Sequence, residues 1–156
     1  MLLTVEKVLI LKSAPIFAAL DSEELAALAE IAIEQEYQPD EIIFEEKQQA
    51  HHLYIIAHGK VEVFHRVDSA EHSIAVLERE ECFGEMALLD DEPRSASVRA
   101  LERTVVLKID RESFRELINE RPQISFAIFK MLTSRLRLKI LEVETPPALG
   151  AGQHYA

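Results

Sequence analysis

The chain of 156 residues contains a single cysteine, Cys82, so it cannot form an internal disulfide. Small secreted domains usually depend on disulfides because their cores are small, and this class of protein is therefore excluded. Long apolar runs are also missing: Glu6, Lys7 and Lys12 interrupt the N-terminal segment, and no stretch is long enough to span a bilayer. A reducing cytoplasm is the predicted location.

Basic residues are outnumbered, because 17 Lys and Arg stand against 28 Asp and Glu and give a net charge of −11. A surface of this sign repels nucleic-acid phosphates and anionic lipids alike, so we predict no direct nucleic-acid partner. The hydrophobic content of 48% is enough to fill one core at this length. Residues 1–144 are predicted to form a single domain.

The spacing of apolar residues divides this domain into three parts. Asp21 followed by Glu24 is typical of a helix N-terminus, and residues 1–36 are predicted to be helical. Residues 37–110 hold short runs with β-type alternation, predicted as strands at 41–45, 53–57, 60–67, 73–77, 96–100 and 104–109. Short strands separated by turn residues predict a mainly β domain, an antiparallel roll, barrel or sandwich with flanking helices.

Residues 111–144 are predicted to form the C-terminal helices, and residues 145–156 a tail. Asp110 can cap the first of these helices, and Pro122 suits the first turn of the second, longer one. The long helix has two apolar stripes: Ile124, Ala127, Ile128 and Met131 in one, and Phe129, Leu132, Leu136, Ile140 and Val143 in the other. One stripe can cover the β part, whereas the other predicts either a homodimer seam or burial within the same domain.

The connection between the strands at 73–77 and 96–100 is richer in chemistry than a turn requires. Gly84 lets the backbone approach a ligand closely, and residues 85–89 favour one helical turn whose first N–H groups can bind an anion. Arg94 adds a charged fork for phosphate oxygens, and Glu85 can accept hydrogen bonds from sugar hydroxyls. A small anionic ligand that joins a sugar to a phosphate would satisfy both side chains.

This segment resembles the motif of the cyclic nucleotide-binding domain family. The matching positions are Phe83-Gly84-Glu85-x-Ala87-Leu88 and Pro93-Arg94-x-Ala96-x-Val98, and the resemblance runs from about residue 11 to residue 141. It implies a double-stranded β-helix, or jelly-roll barrel, that binds cyclic AMP or cyclic GMP without catalysis, cofactor or metal. The ligand-binding residues it implies are Phe83, Gly84, Glu85, Met86, Ala87, Arg94, Ser95 and Ala96.

By this resemblance, Gly84 and Glu85 hold the ribose 2′-hydroxyl, while Arg94 and the amides of Ala87 and Ser95 hold the cyclic phosphate. The Ser95 hydroxyl can reach either a phosphate oxygen or the edge of a guanine base, so the choice between adenine and guanine stays open. The family also implies a regulatory sensor in which the ligand moves the last helix. Only a tail is expected after that helix, with no room for a DNA-binding domain, so the output is expected through an effector protein or a separate domain.

The chain departs from the family at three turns, where Asp40, Lys47 and Glu80 stand in place of frequent glycines. Asp tolerates a left-handed backbone moderately well, but this conformation costs Lys47 or Glu80 about 1 kcal/mol each, so we expect these turns to be built differently. The acidic run 90–92 also lies beside Arg94 in sequence, and it would weaken phosphate binding if it faced the pocket.

A second hypothesis is a degenerate barrel that binds no ligand and serves as a protein interaction or oligomerisation module. In that case an internal ion pair between Glu85 and Arg94 would hold the loop closed.

A third hypothesis, a metal-dependent enzyme of the cupin type, is disfavoured. His51 and His52 are adjacent and would point to opposite faces of a strand, whereas a metal site needs them on one face. His65 and His72 are predicted to face each other across a hairpin whose turn is at 68–69, without zinc-type spacing. Cys82 is predicted to be a buried hydrophobe rather than a nucleophile.

Overall fold

The helix Ser22–Ile31 (α2) begins where Asp21 and Glu24 predict it. The computed structural model describes residues 1–144, with only the backbone described at Met86 and Glu144. Asp21 accepts a hydrogen bond from the Glu24 N–H at 2.8 Å, and the Glu24 carboxylate accepts one from the Asp21 N–H at 2.9 Å. This reciprocal cap satisfies two N–H groups that the first helical turn leaves open. Helix α1 spans Thr4–Ser13 and α2 spans Ser22–Ile31.

Eight antiparallel strands follow in two four-stranded sheets. Their bounds are Ala32–Tyr37 (β1), Ile42–Phe44 (β2), His52–His58 (β3), Val61–Val67 (β4), Ala70–Leu77 (β5), Cys82–Phe83 (β6), Ser97–Ala100 (β7) and Thr104–Asp110 (β8). One sheet has the order β1-β8-β3-β6 and the other β2-β7-β4-β5. The predicted mainly β, antiparallel jelly-roll class with flanking helices is confirmed, in the form of a sandwich rather than a closed barrel.

Alternation along the strands of the first sheet builds two hydrophobic cores. On β3, Tyr54 and Ile56 contribute to a core shared by both sheets. Leu53 and Ile55 point the other way and pack with the apolar faces of the helices. Because both faces of β3 are covered, the sheet is held between the helices and the second sheet, and the loop that follows β6 lies where these layers meet.

Two strands were not predicted. Residues 32–36 were assigned to the helical part, whereas the structure starts β1 at Ala32, which pairs with Ile109 of β8. The middle of β1 is polar at Glu34, Gln35 and Glu36, and the strand shows no alternation, so its conformation depends on pairing with β8 rather than on local pattern. Strand β6 has only two residues, which is too short for any periodicity to register.

The turns at Asp40, Lys47 and Glu80 keep the left-handed conformation, with φ of 69°, 73° and 75°. The expectation that these turns are built differently is therefore wrong. Backbone hydrogen bonds hold all three of them. The Asp40 N–H donates to the Ala100 carbonyl, the Lys47 N–H to the Arg94 carbonyl and the Glu80 N–H to the Ile56 carbonyl, each at 2.8 Å. The predicted hairpin turn at 68–69 is confirmed, and it sets His65 opposite His72.

The C-terminal helices are α3, Arg111–Glu120, and α4, Gln123–Glu144. Asp110 caps α3 by accepting a hydrogen bond from the Ser113 N–H at 3.1 Å, as predicted. The first half of α4 packs into the helix-side core through Ile124 and Ile128, whereas its apolar residues beyond Arg135 are exposed. No helix within residues 1–144 has the length and apolar character needed to cross a membrane. The predicted tail lies outside the described residues.

Candidate functional site

The loop between β6 and β7 starts from a fixed backbone position. Phe83 pairs with Tyr54 across β6 and β3, and their rings stack at 5.0 Å with an interplanar angle of 7°. Gly84 then adopts a φ of 76°, and the helical turn predicted after it is a 3-10 turn, Glu85–Leu88. Phe83 and Ala96, at the two ends of the predicted site, are both buried in the core between the sheets. The loop is thus anchored at both ends.

Gly84 lies where a side chain has no room. A Cβ atom built on it would be 2.6 Å from Arg94 Nη1 and 3.1 Å from the His52 carbonyl oxygen. The close approach predicted for this glycine is therefore an approach to Arg94, one of the predicted ligand-binding residues. Gly84 also accepts hydrogen bonds from the Ala87 N–H at 3.1 Å and from Arg94 Nη1 at 3.5 Å.

Arg94 is buried without a carboxylate partner. Its side chain is 7% exposed, its Nη2 donates to the His52 carbonyl at 2.8 Å, and its guanidinium lies 4.0 Å from the centre of the Phe44 ring. Within residues 1–144 it forms no ion pair, and its Nε has no hydrogen-bond partner. Burial lowers the pKa of Arg94 from its usual value, and neighbouring Tyr54 opposes that shift. An arginine stays charged in such a setting, so the site holds a cation that has no counter-ion among residues 1–144.

Glu85 is also buried, at 6% exposure, but it faces the last helix. Its Oε1 lies 3.9 Å from Nη1 of Arg135 on α4, and its Oε2 accepts a hydrogen bond from the Cys82 thiol at 3.5 Å. Burial and the Glu85 charge raise the pKa of Cys82, which keeps it a thiol. The ion pair between Glu85 and Arg94, considered from the sequence, does not form among the described residues.

A cavity of about 80 Å³ lies at the loop, beside Arg94. Its lining residues are Ala50, Ala87, Asp90, Glu92, Pro93, Arg94 and Ser95. Ser95 is exposed at this point, and Ala87 is buried. The backbone of Met86 lies in the 3-10 turn, whereas its side chain lies outside the described residues. Of the eight predicted residues, the structure thus brings Ala87, Arg94 and Ser95 to one cavity.

The acidic run next to Arg94 is divided by the fold. Asp91 turns toward α3, where its Oδ1 lies 2.8 Å from Nη1 of Arg111 and 3.8 Å from Nη2 of Arg115. Asp90 and Glu92 line the cavity instead. Of the three acidic residues expected to weaken phosphate binding if they faced the pocket, two, Asp90 and Glu92, line the cavity.

Four residues of this neighbourhood were not predicted. Phe44 and Tyr54 surround the Arg94 guanidinium, the His52 backbone accepts its hydrogen bond, and Arg135 pairs with Glu85. Arg135 is next to Leu136 of the predicted apolar stripe, but nothing in the sequence marks it as the partner of Glu85. A carbonyl partner such as that of His52 has no side-chain signature at all.

A larger groove, of about 330 Å³, lies between α2 and α3. It is lined mainly by alanines and by exposed glutamates such as Glu23 and Glu116, and it contains none of the predicted residues. Among residues 1–144 there is no group of three or more His, Cys, Asp or Glu side chains that could hold a metal ion. The cavity at Arg94 is therefore the candidate ligand site because of the residues that line it, although the groove between α2 and α3 is larger.

Two antiparallel sheets, a helix-covered face and a buried arginine in the β6–β7 loop together define a jelly-roll sandwich domain. The model of the cyclic nucleotide-binding domain family matches residues 34–121, more than half of the sequence. The chain belongs to the cyclic nucleotide-binding domain family, as the resemblance in the loop motif implied.

Known relatives cover regulators of several kinds. A cyclic AMP receptor protein of Thermus thermophilus is 34% identical over 86% of this chain and 62% of the relative. A cAMP-dependent protein kinase regulatory subunit of Emericella nidulans is 32% identical over 69% of this chain and 26% of the relative. The chain thus spans less than two thirds of the length of these relatives.

A solved structure of similar extent also matches. The crystal structure of the N-terminal domain of a transcriptional regulator from Streptomyces coelicolor superimposes with a TM-score of 0.80 at 29% identity, covering 91% of this chain and 99% of that one. The fold described above is therefore that of a regulator's domain of the same size.

Gly84→Ala is expected to destabilise the protein by about 1–3 kcal/mol, because the new Cβ meets the Arg94 guanidinium and the φ of 76° is unfavourable for alanine. In an Arg94→Met background the same substitution should cost less, since the atom at 2.6 Å is gone. Urea denaturation of the four proteins measures the difference. An equal cost of Gly84→Ala in both backgrounds would contradict a direct conflict with Arg94.

Proposed function

We propose that this chain is a non-catalytic regulatory domain that binds cyclic AMP or cyclic GMP at the loop formed by residues 83–96 and transmits occupancy to α4. The family supports the ligand class, and the loop supports the position of the phosphate. The single cysteine is buried with a raised pKa and is therefore a poor nucleophile, so the proposed role does not involve it.

One observation carries the proposal, the burial of the Arg94 guanidinium without a counter-ion. Burying a charge is costly unless an opposite charge or several hydrogen bonds compensate it. Here the Phe44 ring and two carbonyl groups compensate in part, and the Nε stays without a partner among residues 1–144. The phosphate of a ligand supplies the missing negative charge.

The space at the loop implies a conformational change. The cavity of about 80 Å³ can take a phosphate group, but sites that enclose a whole small molecule measure roughly 300–1,000 Å³. The Ala87 N–H, which the resemblance assigns to the phosphate, donates to the Gly84 carbonyl in this geometry. Binding of a complete nucleotide thus requires the loop or α4 to move.

The contact between Glu85 and Arg135 supplies the link to α4. The resemblance assigns the Glu85 carboxylate to the ribose hydroxyl, and in this structure the same carboxylate faces an arginine of α4. A ligand hydroxyl that takes over Glu85 competes with Arg135 and weakens one tie between the loop and the helix. Ligand binding would in this way shift the equilibrium between two positions of α4.

The exposed half of α4 supports a second role, oligomerisation. Leu136, Ile140 and Val143 of the predicted stripe are 62%, 50% and 86% exposed, so this stripe is not covered within residues 1–144. Large exposed apolar surfaces usually mark interaction sites. We propose a homodimer through these residues, with an effector protein or a separate output domain as the recipient of the signal. The net charge of −11 still argues against direct nucleic-acid binding.

Arg94→Met is expected to weaken cyclic nucleotide binding by about 1.5–3 kcal/mol, the range for hydrogen bonds to charged groups. Methionine keeps the length that packs against Phe44 and removes the charge. Calorimetric titration with cyclic AMP and with cyclic GMP measures the loss and also identifies the preferred base. Arg103→Met is the matched control, because Arg103 is exposed and paired with Glu36 at 2.7 Å. Wild-type protein that binds neither nucleotide would refute the proposal.

Arg135→Ala is expected to strengthen nucleotide binding by about 0.2–1 kcal/mol, the range for a partly exposed ion pair, because the ligand no longer competes for Glu85. Without ligand, amide hydrogen exchange in α4 should become faster. Arg137→Ala, an exposed arginine on the same helix, is the control. Weaker binding by Arg135→Ala would instead mean that Arg135 holds the ligand.

Leu136→Glu is expected to shift the protein toward monomer, because it introduces a charge into the exposed stripe of α4. Sedimentation velocity over a range of concentrations measures the effect. Ser134→Glu adds the same charge at an exposed position outside the stripe and should leave the association unchanged. A wild-type protein that stays monomeric at high concentration would exclude the homodimer.

A further inference from the structure

We propose that Asp90 and Glu92 make the site selective for the singly charged cyclic phosphodiester over the doubly charged phosphate of the linear nucleotide. This inference rests on the proposed function and concerns which phosphate chemistry the site accepts. It follows from the charges around the cavity rather than from its shape.

The charged residues that line the cavity are Arg94, Asp90 and Glu92. Neither carboxylate has an ion-pair partner among residues 1–144, whereas Asp91 between them is neutralised by Arg111 and Arg115. The lining therefore has a net charge of −1 before any ligand enters. Arg94 attracts one negative charge, and every further charge on the ligand is opposed by two nearby carboxylates.

Two forms of one nucleotide differ in this property. A cyclic phosphodiester has a single negative charge, whereas a terminal phosphate monoester carries about −1.5 to −2 at pH 7. The monoester is also the product when the cyclic diester is hydrolysed. A site that disfavours the monoester by charge releases the nucleotide once the cyclic phosphate ring is hydrolysed. It needs no contact that recognises the ring itself.

The fold holds the Asp90 carboxylate and the turn that carries Glu92 in place. Asp90 Oδ1 accepts a hydrogen bond from the Glu92 N–H at 3.1 Å, which fixes the turn that carries both side chains. The Asp90 carbonyl accepts from Arg111 Nη1 at 3.1 Å, which ties the same turn to the start of α3. An asparagine at position 90 can still accept the first of these bonds, so the charge can be removed while the turn is kept.

The test compares cyclic AMP with adenosine 5′-monophosphate, and cyclic GMP with guanosine 5′-monophosphate, by displacement of a fluorescent cyclic nucleotide at low ionic strength. In Asp90→Asn/Glu92→Gln, the ratio of the Kd of the linear nucleotide to that of the cyclic one should fall by about fivefold relative to wild type. Added salt should lower the same ratio in wild type and have less effect in the double variant. Asp91→Asn removes an equal charge from the same loop, but outside the cavity, and should leave the ratio unchanged.

The outcomes separate this inference from the proposed function. Absence of any cyclic nucleotide binding to wild type would overturn both. Normal cyclic nucleotide binding with an unchanged ratio in the double variant would overturn the charge selectivity alone. An equal change of the ratio in Asp91→Asn would show that the general negative field of the protein, and not the cavity lining, makes the distinction.

Discussion

The need to house one charged guanidinium in the interior of a β-sandwich governs the arrangement of the whole loop. Arg94 is 7% exposed, and its charge is met by the face of the Phe44 ring and by the carbonyl groups of His52 and Gly84. Each of these partners is fixed by a different strand or turn. Gly84 must lack a side chain for the guanidinium to fit, and the Arg94 backbone is bonded on both sides to the turn at Lys47 and Gln48. The position of the charge and the folding of the sandwich thus depend on each other.

That dependence explains why the left-handed turn at Lys47 persists without a glycine. The N–H of Lys47 bonds to the carbonyl of Arg94, and the N–H of Arg94 bonds to the carbonyl of Gln48. The strain of a left-handed lysine, about 1 kcal/mol, is offset by hydrogen bonds that a different turn would break. Glu80, bonded to Ile56 on β3, is held in the same way. The loss of these glycines therefore does not indicate that the site has degenerated.

Much of the fold could be predicted because sequence patterns over a few neighbouring residues determine it. The cap at Asp21, the alternation of Val61 and Val63, and the turn at 68–69 each act over a few residues, and the structure has all three. Strand β1 could not be predicted because its polar residues become a strand only by pairing with β8.

Some residues of the candidate site could be predicted from the sequence in the same way, and others could not. Gly84, Glu85 and Arg94 are recognisable because their chemistry exceeds what a loop needs. Their partners are not, because a backbone carbonyl has no signature in the sequence and Arg135 lies fifty positions from Glu85. The direction in which Glu85 points, toward α4 rather than toward Arg94, is a tertiary property. Cys82 has a further consequence: as the single thiol, buried at 3% exposure and hydrogen-bonded to Glu85, it can meet a reagent in solution only when this loop opens. The rate at which a thiol reagent modifies Cys82 would therefore report how often the loop opens. The protein needs no added label for this measurement, because Cys82 is part of its own sequence.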